Sequence, residues 1–288
     1  MTIPLTASGV ARIEDAYRLV PSQASMLSEC LASDDRSLYV EQIVLRLTGA
    51  FDLARFQRAW AQVMQACPPL RTVFAWRGVE PLQVVLRSIE PGWDVRDLSG
   101  LTVQQQDDEI RRFVVADRAA GFDLRRGPLT RFALFFLGDD SQAFVWTHHH
   151  LIMDGWSVAL LVTTVAKAYA DGDQPTPQGR AHHEFVDWLA ARDDSEGREF
   201  WQQQLSGYVP EPLPGIGSIP GSEMTDPDVD SWVQHTIPEV ILRQWEKSLA
   251  GERITLSALV TAAWAITVQR HAGAAETVVG LTNASRPL

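Results

Sequence analysis

The chain has 288 residues, 45% hydrophobic and 21% charged, which is enough to bury a sizeable core in one or two domains. Its formal net charge of -11 argues against a nucleic-acid partner, because binding to a phosphate backbone needs a basic surface. It has only two cysteines, Cys30 and Cys67, no basic-then-apolar leader and no apolar run of the roughly 18–20 residues that span a membrane, which predicts a soluble, cytoplasmic protein.

The first part of the chain alternates predicted helices and strands. Residues 14–31 have the pattern of an amphipathic opening helix, with a start signal at Pro21. Hydrophobic side chains alternate over residues 39–49, which predicts a half-buried strand. One face of residues 53–64 is apolar at helical spacing, and Pro68 ends that helix.

The middle of the chain adds strands around one long helix. The predicted elements are short strands at 83–89 and 93–95, a polar-faced helix at 103–119, strands at 130–137 and 142–147, and a helix at 158–169. Residues 138–141, Gly-Asp-Asp-Ser, have turn chemistry, so the last two strands are expected to form a hairpin. The second hairpin strand leads directly into a run of histidines.

A change of composition then divides the chain. Residues 171–179 are rich in Gly, Pro and polar residues and predict a linker, at which we place a boundary between two lobes. Beyond it we expect helices at 182–188, 200–207, 238–249 and 256–271, strands at 232–237 and 276–282, and an irregular loop at 209–227. His182, His183 and Glu184 do not predict a metal site, because adjacent residues on a helix do not converge on one ion.

Three of the seven histidines, His148, His149 and His150, stand in a row where the hairpin strand ends. Side chains alternate along a strand, so His148 and His150 are expected on one face and His149 on the other. Three interpretations stay open from the residues alone: structural or surface histidines, a metal site, and acid–base catalysis. Zinc usually takes three or four protein ligands, whereas histidine titrates near neutrality. Asp154 and Gly155 favour catalysis, because Asp can hold the loop and Gly lets a substrate come close.

The stretch 149–157, HHLIMDGWS, resembles the HHxxxDGWS motif of condensation domains in non-ribosomal peptide synthetases. These domains belong to a superfamily of acyltransferases that includes chloramphenicol acetyltransferase. Further segments are similar to other motifs of this family, namely Pro21-x-Gln23-x-x-Met26-Leu27, Leu70-Arg71-Thr72-Val73-Phe74, residues 122–129 (FDLRRGPL), 182–188 and 280–287. The sequence departs from the RHExLRTxF motif at Ala66, where the family has Arg, and Ala284-Ser285 replace a Ser-Gly pair.

The resemblance implies an α/β fold with a mixed sheet and flanking helices. It implies two chloramphenicol acetyltransferase-like lobes, arranged in a V around a tunnel. Residues 1–173 would be the N-terminal lobe that carries HHxxxDG, and residues 174–288 the linker and part of the C-terminal lobe. A full family member continues beyond this point, so we expect a C-terminally truncated chain that by itself does not catalyse condensation.

The activity that the resemblance implies is formation of an amide bond. A donor acyl or peptidyl thioester would react with the amine of an acceptor aminoacyl thioester. We expect no covalently bound cofactor, because both substrates would be carried on 4′-phosphopantetheine arms of partner carrier domains. The implied partners are donor and acceptor peptidyl carrier domains and an adjacent adenylation domain, with neither nucleic acid nor a membrane among them.

The resemblance also implies roles for individual residues. His150, the second His of the motif, would remove the proton of the amine or position that amine. His149, Asp154 and Gly155 complete the implied catalytic set, with Asp154 holding the loop and Gly155 leaving room for the acceptor arm. His148 is a further catalytic candidate, and no metal is expected.

Three residues are expected to support this set. Ser157 would cap the following helix, whose N-terminal dipole would face the developing oxyanion, and Trp156 belongs to the same motif. Arg71 is expected to be the structural partner of an acidic group near the site, and Asp154 is the group we expect it to pair with.

Alternatives remain for the function. His148 turns the motif into HHHxxxDG, which resembles β-lactam-forming condensation domains, where the extra His has an additional proton-transfer role. The alternative is that position 148 tolerates many residues and that His148 has no special role. A coenzyme A-dependent acyltransferase and a non-catalytic docking module are alternatives from other classes. Gly-Trp-Ser after Asp154 argues against an epimerisation domain, and the missing paired-aspartate motif argues against a heterocyclisation domain.

Overall fold

A four-stranded mixed sheet carries the histidine motif. Its strands are β2 (Val40–Thr48), β5 (Gly92–Asp97), β6 (Thr130–Gly138) and β7 (Ser141–His149). Their spatial order is β2-β7-β6-β5, with antiparallel β2/β7 and β6/β7 pairs and a parallel β5/β6 pair. The predicted hairpin is therefore confirmed, and β7 brings the histidines to the end of an interior strand.

A second sheet contains three antiparallel strands. They are β1 (Ile13–Arg18), β3 (Thr72–Ala75) and β4 (Leu82–Leu86), in the order β1-β4-β3. The opening helix predicted over residues 14–31 is thus wrong in its first part. Helix α1 (Pro21–Ala32) begins only at the predicted proline, and Val20 before it is extended. Proline disfavours helical geometry in the residue that precedes it, and pairing with the distant β4 then decides for a strand.

Helices cover both faces of the larger sheet. They are α2 (Leu53–Ala66) and α4 (Gly155–Asp171) on one face and α3 (Val103–Ala120) on the other, while α5 (His182–Ala190) contacts β1. Asp52 begins α2 by accepting a hydrogen bond from the Arg55 N–H at 2.9 Å. Thr102 begins α3 in a capping box with Gln105. These caps satisfy N–H groups that have no partner inside their helices.

The core lies between α2, α4 and the sheet. Trp60 of α2 packs against Phe132 of β6 and Trp146 of β7, with ring centroids 4.4 and 4.9 Å apart. Because side chains alternate along a strand, the neighbours of these residues face the other way. Phe135 and Val145 belong to a smaller cluster under α3. The sheet is therefore covered by apolar packing on both faces, which holds β7 in place.

The structure describes residues 12–78, 80–172, 182–209 and 235–282. The chain divides into two compact units, Met1–Asp193 and Asp194–Leu288. The expected lobe boundary after residue 173, most of the predicted linker at 171–179 and the loop at 210–227 lie outside the described residues. All elements given above belong to the first unit.

The second unit contains three described helices. They are α6 (Ser195–Gln204), α7 (Glu239–Glu252) and α8 (Leu256–Ala272), and none of them has a buried residue. The strands predicted at 235–237 and 276–282 are not present, and residues 232–234 lie outside the described part. A strand needs a neighbouring strand to satisfy its backbone N–H and C=O groups, and neither segment has one among the described residues.

No single helix of the described residues is both long and apolar enough to cross a membrane. Within the described part of the chain, α7 and α8 taken together reach the required length and composition, and they are bent by 100° relative to each other.

Candidate active site

The backbone of the histidine motif is fixed by its neighbours on both sides. The His150 N–H donates to the Tyr39 carbonyl at 2.8 Å, and the His149 N–H donates to the Leu129 carbonyl at 3.1 Å. After β7 the chain makes one 3-10 turn, His150–Ile152. The start of β2 and the segment before β6 therefore hold the histidines at the point where the strand ends.

The side chains of His148 and His150 meet at one carboxylate, that of Glu41. Glu41 lies directly opposite His148 in the β2/β7 pair. Nε2 of His148 is 3.0 Å from Oε2 of Glu41. Nδ1 of His150 is 3.2 Å from Oε1, an ion-pair distance without the alignment of a directed hydrogen bond. The expectation that His148 and His150 share a face is confirmed.

This cluster changes the charge of its members. The contacts to His148 and His150 lower the pKa of the Glu41 carboxyl far below its usual range. Glu41 in turn raises the pKa of His150, against the effect of its partial burial, and Asp154 adds to the rise. An opposite charge nearby stabilises the ionised form of each group. Glu41 is therefore an anion at neutral pH, and His150 is more basic than an ordinary histidine.

His149 points away from this cluster. Its Nε2 atom is 3.7 Å from the Cys30 sulfur, and its Nδ1 atom accepts a hydrogen bond from the Leu151 N–H at 3.2 Å. Burial, with smaller contributions from His150 and His148, lowers the pKa of His149 to about 4. His149 is thus neutral at pH 7 and lines a separate cavity of about 330 Å³.

Asp154, not Ser157, begins helix α4. Oδ1 of Asp154 accepts hydrogen bonds from the Ser157 N–H at 2.8 Å and from the Ser157 hydroxyl at 2.6 Å. The prediction that Ser157 caps this helix is therefore wrong, because Ser157 lies three residues inside and is the donor. Gly155 has open space around it, since an added Cβ would meet no atom within 4 Å. Trp156 is 59% exposed.

Arg71 pairs with Glu14 rather than with Asp154. Its Nη1 atom lies 2.6 Å from Oε2 of Glu14. Its guanidinium also donates to the carbonyl of Met64 at 3.1 Å and to that of Leu86. The predicted Asp154 pairing is wrong, because the side chain of Arg71 is buried where α2 ends and the smaller sheet begins. Arg71 thus supports the fold by joining the end of α2 to the smaller sheet.

A cavity of about 230 Å³ lies beside His150, and Asp154 and Ser157 line it as well. Polar groups from α1 and β4 contribute to its wall. Gln23 donates to the Leu151 carbonyl at 2.9 Å, and Gln23 and Gln83 exchange hydrogen bonds. The structure therefore brings His150, Asp154 and Ser157 together at one cavity.

A metal ion has no prepared site among the described residues, where no group of three or more His, Cys, Asp or Glu side chains has a suitable arrangement. His183 instead pairs with Asp15, with Nδ1 and Oδ2 3.0 Å apart. The rings of His182 and His183 both pack edgewise against Tyr17. Through these contacts His182 and His183 pack α5 against β1.

Sequence patterns did not single out Glu41. Its neighbours in β2 are an ordinary alternating strand, and its importance appears only when Glu41 is placed opposite His148. The sequence shows only that Glu41 is a single carboxylate near the start of a predicted strand. Its proximity to the histidines follows once that strand is paired with β7. The pairing partner of a strand is a non-local property, which periodicity does not reveal.

Comparison with known proteins identifies relatives over almost the whole chain. The family model of the condensation domain matches residues 13–288. Linear gramicidin synthase subunits C and B of Brevibacillus parabrevis are 32% and 33% identical to this chain over 283 and 284 residues, or 96% of it. The chain spans only 4% and 5% of the length of these two relatives.

Solved structures share the fold. The starter condensation domain of rhizomide synthetase has a TM-score of 0.58 at 20% identity, covering 69% of this chain and 52% of that one. The first condensation domain of the calcium-dependent antibiotic synthetase, in complex with a substrate analogue, has a TM-score of 0.59 at 22% identity, covering 69% and 49%. The predicted α/β class with a mixed sheet is confirmed by these similarities and by the described sheets.

Proposed function

This chain belongs to the condensation-domain family of non-ribosomal peptide synthetases, and from this membership we propose that it contributes to amide-bond formation between two carrier-bound substrates. The donor would be an acyl or peptidyl thioester, and the acceptor the amine of an aminoacyl thioester. One observation carries the proposal: the histidine motif lies at the end of β7, with His150 beside a cavity.

The reaction needs two proton transfers, one from the attacking amine and one to the leaving sulfur. The amine nitrogen attacks the thioester carbonyl carbon, a C–N bond forms and the C–S bond breaks. The amine loses a proton and the leaving sulfur gains one. A histidine of near-neutral pKa suits this transfer, and the raised pKa of His150 strengthens it as a proton acceptor. His150 also holds the amine in place, so that attack occurs at reacting distance.

The residues around His150 have supporting parts in this proposal. Asp154 fixes the turn between β7 and α4 through its bonds to Ser157. The open space at Gly155 gives the acceptor arm room beside the helix. The N-terminus of α4 contributes a positive dipole, which stabilises the negative charge that develops on the carbonyl oxygen.

The partners of this proposal are carrier domains. The substrates are held on their 4′-phosphopantetheine arms, and an adenylation domain that loads the acceptor is expected nearby. The relatives are synthetase subunits of which this chain spans about a twentieth, so the activity of any such larger protein is itself part of the proposal. The location we propose is the cytoplasm, supported by the free thiols Cys30 and Cys67.

The test is a condensation assay with the full protein and two loaded carrier domains. His150→Ala should lower the rate at which dipeptide appears on the acceptor carrier by about 10²-fold or more. His183→Ala is the matched control, because His183 also pairs with a carboxylate but lies on α5. A rate within about threefold of the parent for His150→Ala would contradict the assignment.

The same assay separates the alternative acyltransferase. A donor acyl group is supplied on coenzyme A instead of on a carrier domain, with all other components unchanged. Amide formation only with the carrier-bound donor supports condensation between carriers. Equal rates with the soluble donor would favour a coenzyme A-dependent acyltransferase.

A further inference from the structure

Three side chains of different exposure form one connected cluster. Glu41 is 43% exposed and contacts both histidines, His148 has no exposed surface, and His150 is 28% exposed. The carboxylate of Glu41 therefore lies between the buried imidazole of His148 and the partly exposed imidazole of His150. Of these three residues, only His150 lines the cavity.

The sheet dictates this arrangement. Glu41 faces His148 by the β2/β7 register, and the Tyr39 carbonyl two residues earlier accepts from the His150 N–H. The next residue of β2, Gln42, donates to the Thr147 hydroxyl at 3.2 Å and to the Val114 carbonyl at 3.0 Å. The residues before and after Glu41 are thus both held by hydrogen bonds, which fixes the backbone that carries its carboxylate.

We propose that Glu41 is a positioning residue for His150, and that His148 is the buried donor that holds Glu41 in place. The catalytic part of this inference rests on the function proposed above. The arrangement of the three groups rests only on their geometry.

The chemistry follows from which ring nitrogen each contact uses. A carboxylate beside Nδ1 of His150 favours the tautomer with its proton on Nδ1, which leaves Nε2 as the nitrogen able to accept a proton. When Nε2 takes a proton from the amine, the ring becomes a cation next to an anion. Glu41 therefore orients the ring before the transfer and stabilises its charge afterwards.

The position of His148 gives it a different task from His150. Its ring is fully buried and packs against Trp146, with centroids 4.9 Å apart. A side chain without exposed surface cannot exchange a proton directly with a substrate. Its Nε2–H can donate to Oε2 of Glu41, which leaves Oε1 for His150. His148, the extra histidine of the motif, thus contacts the carboxylate and not the substrate.

Other ionisable groups near His150 must enter any test of its titration. Glu41 on β2 and Asp154 at the start of α4 both raise its pKa, and the Met153 carbonyl contributes in the same direction. His148 and His149 are its neighbours on β7, and His182 of α5 lines the same cavity. Glu41 has the largest effect of these groups.

The first experiment measures the ring itself by NMR of histidines labelled with ¹⁵N. In the parent, His150 should populate the Nδ1–H tautomer and titrate above the ordinary histidine value. Glu41→Gln should lower the pKa of His150 and redistribute its tautomers. Asp94→Asn is the matched control, because Asp94 lies in the same sheet, pairs with Arg96 and is 42% exposed. An unchanged His150 titration in Glu41→Gln would overturn the inference.

The second experiment uses the condensation assay. Glu41→Gln should lower kcat by about 10²-fold with little change in KM, and move the acidic limb of the pH–rate profile, where His150 becomes protonated, to lower pH. Thermal unfolding of the same samples checks that the variant is folded. If the parent condenses and Glu41→Gln keeps its kcat and its His150 titration, the positioning role fails while the proposed function stands. Normal His150 behaviour in a parent that does not condense would reject the function alone.

The third experiment separates a holding role of His148 from proton transfer. His148→Gln keeps an N–H donor near the position of Nε2, whereas His148→Phe removes it. We expect His148→Gln to keep most of the parent rate and His148→Phe to fall about as far as Glu41→Gln. Glutamine does not titrate, so equal loss in His148→Gln and His148→Phe, with both proteins folded, would overturn the holding role.

Discussion

At the scale of single residues, three adjacent histidines have three different surroundings. His148 is buried against a carboxylate, His149 is buried against a thiol and aromatic rings, and His150 is partly exposed between a carboxylate and a cavity. The alternation of a strand explains the separation of His149 from the other two. One sequence motif thus contains a fully buried ring, a neutral ring and a basic group.

The neutral ring makes stability depend on pH. The pKa of His149 is lowered to about 4 in the folded chain, whereas the unfolded chain binds this proton near pH 6.5. Between these values the unfolded state holds more protons, so stability falls as the pH falls. His149 alone should remove about 3 kcal/mol of the free energy of unfolding between pH 7 and pH 4.

His149→Asn tests this effect, because Asn can still accept from the Leu151 N–H but does not titrate. Urea unfolding at pH 7, 5.5 and 4 should show a smaller loss of stability on acidification for the variant than for the parent. Comparing the two proteins cancels the other ionisable groups. Parallel pH profiles for parent and variant would show that His149 is not held neutral in the folded state.

At the scale of elements, the turn into α4 depends on one carboxylate. Asp154→Ala removes the acceptor for the Ser157 N–H and hydroxyl, and should lower the free energy of unfolding by about 1 kcal/mol. Asp154→Asn is the matched control, since its amide oxygen can replace Oδ1. Thermal or urea unfolding distinguishes the two variants. Equal stabilities for Asp154→Ala and Asp154→Asn would show that the cap does not stabilise α4.

Elements defined by local signals were predictable from the sequence. The β6/β7 hairpin has its turn residues between two apolar runs, and α8 ends at Gly273, which has positive φ. The strand β1 was missed because its partner β4 lies about 65 residues further along the chain. Pairing over such a distance outweighs local helical pattern.

The same distinction holds for the site. The motif predicted which face each histidine takes, because alternation is a local rule. It did not predict the contact of Glu41 with His148 or that of Glu14 with Arg71, since both contacts join segments far apart in sequence. It also assigned the cap to Ser157, because both Asp154 and Ser157 are good capping residues and only the helix start decides between them.

At the scale of the whole molecule, apolar burial is concentrated in the first unit. Both sheets and both hydrophobic clusters lie within Met1–Asp193. The described helices of the second unit bury no residue. Because burial of apolar surface is the main favourable term in folding, stability should reside in the first unit.

A fragment of residues 1–193 should therefore fold by itself. Its urea unfolding, followed by tryptophan fluorescence, should be cooperative and have nearly the midpoint of the 288-residue chain. Residues 194–288 alone should show no cooperative transition. A fragment of residues 1–193 that unfolds without cooperativity would mean that the first unit needs the second for its stability.

The strand order β2-β7-β6-β5 has a consequence for the growing chain. β2 is an edge strand whose ladder partner is β7, and about 90 residues separate the two. At ~5–20 residues per second, the ribosome needs roughly 5–20 s to deliver that partner. An unpaired apolar strand is prone to join a foreign strand. Glu41 and Arg46 lie on either side of the run Ile43–Leu45 in β2, and charges in such positions oppose aggregation of an apolar strand.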